Sequence, residues 1–104
     1  MGSTGERIKE VLRGVPYGCV ATYGGIAASA GLANGARTVA RLLHSSAASD
    51  GLPWWRIVRA DGSIALRPGA GMEEQVARLA DEGVAVGSDG RVDPAVFGRL
   101  SRWS

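Results

Sequence analysis

Two adjacent indoles, Trp54 and Trp55, lie between Pro53 and Arg56 in the stretch Leu52-Pro53-Trp54-Trp55-Arg56-Ile57-Val58. An indole is a flat apolar wall with one N–H donor and no usable nucleophile. The chemistry open to this stretch is therefore binding of a planar group and not its transformation. In a strand, neighbouring side chains point to opposite sides, so one indole is expected to face the core and the other a cleft. For an arbitrary Trp pair, burial of both is the plainer reading, because each ring removes so much area from water. Other side chains suited to chemistry are few. Cys19 is the single cysteine and has no sequence neighbour of the His or Lys type to lower its pKa; His44, the single histidine, is more than twenty residues away. Cys19 thus reads as a small buried thiol. One cysteine excludes an internal disulfide and a multi-thiolate metal site, and neither metal nor cofactor is expected.

The elements that must position these residues follow from caps and periodicity. Ser3 with Glu6 three residues on forms a capping-box signature, and Ile8, Val11 and Leu12 repeat at helical spacing. A first helix over 4–13 is expected. Gly14-Val15-Pro16-Tyr17-Gly18 ends it; Thr22 caps a second short helix that stops near Gly31; Asn34 caps a third through Ser45. The tight connection at 31–34 makes the last two a helix-turn-helix. Small, polar 45–51 reads as an exposed loop. Arg56 to Leu66 alternates around Asp61-Gly62, a hairpin signal, and predicts a two-stranded wing. Arg67 to Gly71 reads as a flexible loop, Met72 to Glu82 as a helix stopped by Gly83, and Asp93-Pro94 as the start of a last helical turn with Phe97, Leu100 and Trp103 packing back. The expected fold is mainly α with a small β-hairpin: a winged-helix-like, helix-turn-helix DNA-binding domain, one domain over 1–104.

Several of these segments occur in a telling order. Val15-Pro16-Tyr17-Gly18-Cys19-Val20-Ala21-Thr22-Tyr23-Gly24-Gly25-Ile26-Ala27, Gly35-Ala36-Arg37-Thr38-Val39, Pro53-Trp54-Trp55-Arg56-Ile57 and Leu79-Ala80-Asp81-Glu82-Gly83-Val84 follow at spacings that resemble the C-terminal DNA-binding domain of the O6-alkylguanine-DNA alkyltransferases, over residues 6–86. Where that family carries Pro-Cys-His-Arg-Val, its alkyl-accepting cysteine falls on Trp54. A tryptophan there resembles the alkyltransferase-like proteins, which bind alkylated guanine without repairing it. In the alkyltransferases the next residue, histidine, activates the cysteine within a network that includes a glutamate; here indoles replace both, and Glu82 aligns with the glutamate. The resemblance implies that alkyl transfer by this route is impossible and that Trp54 contacts an extruded O6-alkylguanine. Trp55 is given little functional weight, and Glu82 reads as a helix-end carboxylate holding a backbone amide.

The resemblance also implies that Tyr23, after Thr22, pushes the phosphate 3′ to the target while Arg37 fills the vacated place in the stack. Gly35 and Ala36 would let backbone approach the minor groove, and Arg41 adds a second basic group on the same helix. Pro53, Arg67, Gly69 and Ala70 complete the expected lesion pocket, Arg67 by cation–π attraction to a purine. A solvated loop arginine is an equally good reading of Arg67. Arg56 is expected to brace the pocket through charge-assisted hydrogen bonds.

Charge supports this placement weakly. Between residues 11 and 59 five arginines face one acid, a local excess of +4, whereas 60–104 carries an excess of −2. A basic half is what phosphate contact requires; a scatter of solvated arginines explains it as well. With 45% hydrophobic and 21% charged residues the composition is that of an ordinary globular domain. No apolar run reaches the ~20 residues of a membrane span, and nothing resembles a signal peptide, so a cytoplasmic address is expected; the family resemblance favours a monomer. The expected partners are double-stranded DNA containing O6-alkylguanine and, by resemblance, nucleotide excision repair proteins. Two alternatives stand beside this non-enzymatic damage sensor: a residual alkyltransferase using Cys19, and a winged-helix regulator reading intact sequence. The third helix offers the regulator few long polar side chains beyond Arg37 and Arg41.

Overall fold

A computed structural model describes residues 3–93. Helix α1 (Thr4–Arg13) starts where Ser3 Oγ accepts the Glu6 amide at 3.2 Å. Its Ile8 and Leu12, one turn apart, are fully buried. The chain then enters β1 (Ala21–Thr22), and Thr22 Oγ1 caps α2 (Tyr23–Ser29) by accepting the Gly25 amide at 2.9 Å. Helix α3 (Ala36–Asp50) packs across α2 as the second half of the helix-turn-helix.

Two expectations about α3 need correction. Asn34 does not cap it: Asn34 itself adopts the left-handed conformation (φ 54°) to turn the chain, and Gly35 is the N-cap, without a side-chain bond. Nor does α3 stop at Ser45. The stretch expected as a loop stays helical to Asp50, with Ser45 Oγ donating back to Arg41 O at 3.1 Å. Asp50 forms a 2.7 Å ion pair with Lys9 of α1.

The segment 54–66 differs more. Trp54–Arg56 is a single 3-10 turn and not part of a strand. It leads into β2 (Ile57–Val58), which pairs in parallel with β1, Ala21 opposite Ile57 and Thr22 opposite Val58. The expected hairpin is therefore replaced by a parallel pair. A tight turn does form at Asp61-Gly62, closed by Arg59 N to Ser63 O at 2.9 Å, but beyond it the chain pairs with 90–92: Ile64 N donates to Gly90 O and Val92 N to Gly62 O. Local turn chemistry was legible, but the partner strand was not, because it lies about thirty residues downstream. Helix α4 (Met72–Asp81) follows, and Gly83 (φ 81°) makes the turn that ends it, as expected. The expected terminal turn with Phe97, Leu100 and Trp103 lies outside the described residues.

The described residues form two hydrophobic clusters. One joins α1, α2 and α3 with Leu52 and Ile57; the other joins Val20, Val58 and Ile64 with Leu79, Val84 and Val92. Trp54 packs on the first and Trp55 on the second, so the adjacent indoles diverge even in a 3-10 turn, their rings 6.0 Å apart at 89°. Among the described residues no helix is long and apolar enough to cross a membrane.

Candidate nucleic-acid interface and lesion pocket

A cavity of about 600 Å³ opens between α3 and the chain that follows Trp54, within the range of ligand pockets. Helix α3 gives it one wall, with Ala36, Ala40, Leu43 and Ala47 forming an apolar stripe at helical spacing flanked by Arg37 and His44. Tyr23 from the start of α2 and the Trp54 indole face this wall, and Arg59, Ala65, Leu66, Ala70 and Gln75 complete it. Among the described residues the lining holds two arginines and no carboxylate. An apolar slot with cationic edges suits a flat aromatic group carried on a phosphate backbone. Burial pushes the Tyr23 hydroxyl up from its ordinary value, against the pull of the nearby Arg59 charge; Tyr23 therefore stays a neutral hydroxyl at physiological pH.

Behind this wall the Glu82 carboxylate gathers four donors from two other segments. It accepts from the Gly18 amide at 2.9 Å, from Trp55 Nε1 at 2.8 Å, and from Arg56 Nε and Nη2 at 2.9 and 2.8 Å. Arg56 Nη1 donates in turn to Val15 O at 2.9 Å. Burial pushes the Glu82 carboxyl up, but the Arg56, Gly18 and Trp55 donors outweigh it and hold the group below the usual carboxylate range. The Arg56 brace and the Glu82 backbone-amide contact expected from sequence are both present. Trp55, expected to matter little, is thus tied to Glu82 through its ring N–H. The Arg78 guanidinium, paired with Glu74, covers both indoles, 4.8 Å from the Trp55 ring and 5.8 Å from that of Trp54.

The other expected site residues are distributed unevenly. Tyr23, Ala36, Arg37, Trp54 and Ala70 line the cavity. Arg41 is exposed one turn along α3 from Arg37, and Arg67 and Gly69 are exposed on the loop before α4, outside the cavity wall. Pro53 is buried behind Trp54. Thr22 is buried as the α2 cap. Gly35 is buried too, and a Cβ there would come within 2.8 Å of Leu32 Cβ and 3.0 Å of Ala27 Cβ; its smallness serves the α2–α3 contact. Cys19 is a free, half-buried thiol packed against both clusters and away from the cavity lining. No cluster of metal-ligating side chains exists among the described residues. Sequence reading missed Arg59, His44, Gln75 and Arg78. Only Gln75 left a signal, as a polar residue one turn before Leu79 on the buried stripe of α4.

Comparison with known proteins places this geometry. The profile of the family described as 6-O-methylguanine DNA methyltransferase, DNA binding domain, matches residues 3–84. The chain is 35% identical over 88 residues to the DNA base-flipping protein of Escherichia coli, covering 85% of this chain and 67% of that protein. It is 35% identical over 86 residues to a DNA base-flipping protein of Vibrio parahaemolyticus, covering 83% and 85%. It is 37% identical over 73 residues to alkyltransferase-like protein 1 of Schizosaccharomyces pombe, covering 69% and 68%. The fold matches the crystal structure of the Schizosaccharomyces pombe protein in complex with damaged DNA containing O6-carboxymethylguanine, with a TM-score of 0.76 at 28% identity over 93% of this chain and 97% of that one.

Proposed function

Because the chain belongs to the family of 6-O-methylguanine DNA methyltransferase DNA-binding domains, we propose that it binds O6-alkylguanine in duplex DNA by drawing the base into the Trp54 cavity, without accepting the alkyl group. The observation that carries this reading is that the Trp54 indole, where the resemblance puts the family's acceptor cysteine, lines one cavity with Tyr23 and Arg37. Extruding a base costs a few kcal/mol. An indole wall and the apolar α3 stripe offset that cost by burying the alkylated face, and Arg37 offsets it from the side of the duplex. The relatives named for base flipping and the fold match to a complex with damaged DNA support the same direction. Binding without transfer leaves the lesion in place, so a further activity must remove it; nucleotide excision repair proteins, implied by the family resemblance, are the proposed recipients. The protein acts in this reading as a cytoplasmic monomer.

The test is titration against paired short duplexes identical except for one O6-methylguanine, at fixed salt, with protein and DNA masses taken afterwards. Preference for the lesion with both masses unchanged supports a sensor. Equal binding to both duplexes would favour a sequence-reading regulator, and a gain of alkyl mass on the protein would return it to the enzymes. The Trp54→Cys variant is expected to remain inactive in alkyl transfer, because the Trp55 N–H is a donor committed to Glu82 and cannot take a proton from a thiol. Rapid methyl loss from O6-methylguanine DNA with that variant would overturn the argument.

A further inference from the structure

Strands β1 and β2 pair in parallel with Thr22 opposite Val58, at a spacing of about 4.8 Å. The next residue of each strand is thereby delivered to one place: Tyr23 opens α2, Arg59 opens the turn at Asp61-Gly62, and both side chains line the cavity. The Arg59 backbone is pinned from both sides, its N–H donating to Ser63 O at 2.9 Å and its carbonyl accepting from Gly62 N at 2.8 Å. Neither side chain is satisfied within the fold. Among the described residues the exposed Arg59 guanidinium makes no ion pair or hydrogen bond, and the half-buried Tyr23 hydroxyl has no hydrogen-bond partner. Asp61, the nearest acid in sequence, is committed elsewhere: it accepts the Ser63 amide and hydroxyl at 3.0 and 2.6 Å and faces Arg91 at 3.4 Å. Burial pushes the Tyr23 hydroxyl up and the Arg59 charge draws it back, so each group feels the other. A half-buried donor beside an uncompensated cation, in a lining that among the described residues holds no carboxylate, makes a seat for an anion.

We propose that Arg59 and the Tyr23 hydroxyl together hold a phosphate bordering the extruded nucleotide, with Arg59 supplying the charge. The inference rests on the lesion-binding reading. A nucleotide drawn into the cavity carries its flanking phosphates to the cavity lip, where a guanidinium and a hydroxyl can both donate to the non-bridging oxygens. The Tyr23 hydroxyl lies within the cavity, so the pair favours the extruded nucleotide over the stacked one. Arg37 works from a different element, the first turn of α3, and its contribution is separable from that of Arg59.

The experiment measures binding at fixed salt of the native protein, Arg59→Ala and Arg59→Lys to duplexes with one O6-methylguanine. In each duplex a single phosphate is replaced by an uncharged methylphosphonate: the one 5′ of the lesion, the one 3′ of it, or one remote from it. At one flanking position the native protein is expected to lose about tenfold in affinity, the scale of one charge-assisted contact. Arg59→Ala should start about tenfold weaker on the unsubstituted duplex, lose little more at that position, and lower the salt slope by about one. Arg59→Lys keeps the charge and should retain the position-specific penalty, and the remote substitution should cost all three proteins alike. Equal penalties in the native and alanine proteins at every position, or none in the native protein at either flank, would overturn the assignment. The lesion reading then stands if native protein still prefers O6-methylguanine over guanine, and both fail if it does not.

Discussion

Replacing Glu82 with alanine is expected to destabilise the fold by about 2 to 4 kcal/mol, because it strands a shielded guanidinium and two N–H donors at once. The Glu82 and Arg56 side chains are 6% and 15% exposed, so solvent replaces little of what the carboxylate supplied. The loss should appear as a fall in Tm of roughly 10 °C or more for a domain of this size, followed by circular dichroism. The same network sets the response to acid. Glu82 is held below its ordinary pKa in the folded protein, so its contribution is complete above the unfolded value of about 4.3 and fades as pH drops through the folded one. Native protein should therefore lose stability in that acid window more steeply than Glu82→Ala does. Equal Tm values at pH 7, or parallel acid profiles, would show that the carboxylate does not hold the pocket wall.

That network also marks where sequence reasoning ended. Each of its members lay in a recognised motif, but their convergence depends on Tyr17-Gly18, Trp55-Arg56 and Glu82 meeting across tertiary space. Helices α1, α2 and α4 were legible because their signals are local: Ser3 and Thr22 as caps, Gly83 as the stop, Ile8 and Leu12 on one face. The end of α3 was not. Ser45 to Asp50 has weak intrinsic preference, and it stays helical where the Lys9 ion pair and packing of Ala47 on the core supply what the sequence lacks. The hairpin reading failed for the same reason in reverse. Asp61-Gly62 specifies its turn, with Ser63 donating its amide and hydroxyl to Asp61, but a turn cannot say which distant strand Ile57 and Val58 will join.

The candidate site divides similarly. Trp54, Tyr23 and Arg37 were found through motif register and converge on one cavity. Arg59 and His44 carry no motif; they reach the cavity through the turn after β2 and the long α3. Arg67, placed at the pocket by resemblance, is exposed on a loop outside its wall.

Arg37→Ala is expected to weaken binding to an O6-methylguanine duplex by about 30-fold, corresponding to ~2 kcal/mol, while leaving Tm unchanged. The side chain is exposed in the first turn of α3, lines the cavity and makes no ion pair among the described residues, so the fold does not depend on it. Two mechanisms would give different patterns. If Arg37 fills the space left by the extruded base, its loss penalises the flipped complex selectively, and the unmodified duplex loses much less. If it only neutralises a phosphate, both duplexes weaken alike and the slope of log affinity against log salt falls by about one. Arg37→Lys separates the two further: a lysine restores a phosphate contact but lacks the planar guanidinium that stacks between bases. Selective loss in the alanine variant, only partly rescued by lysine, is the result expected for base flipping. Uniform loss with full rescue would reduce Arg37 to an anchor and leave Trp54 and Tyr23 to account for the flipped state.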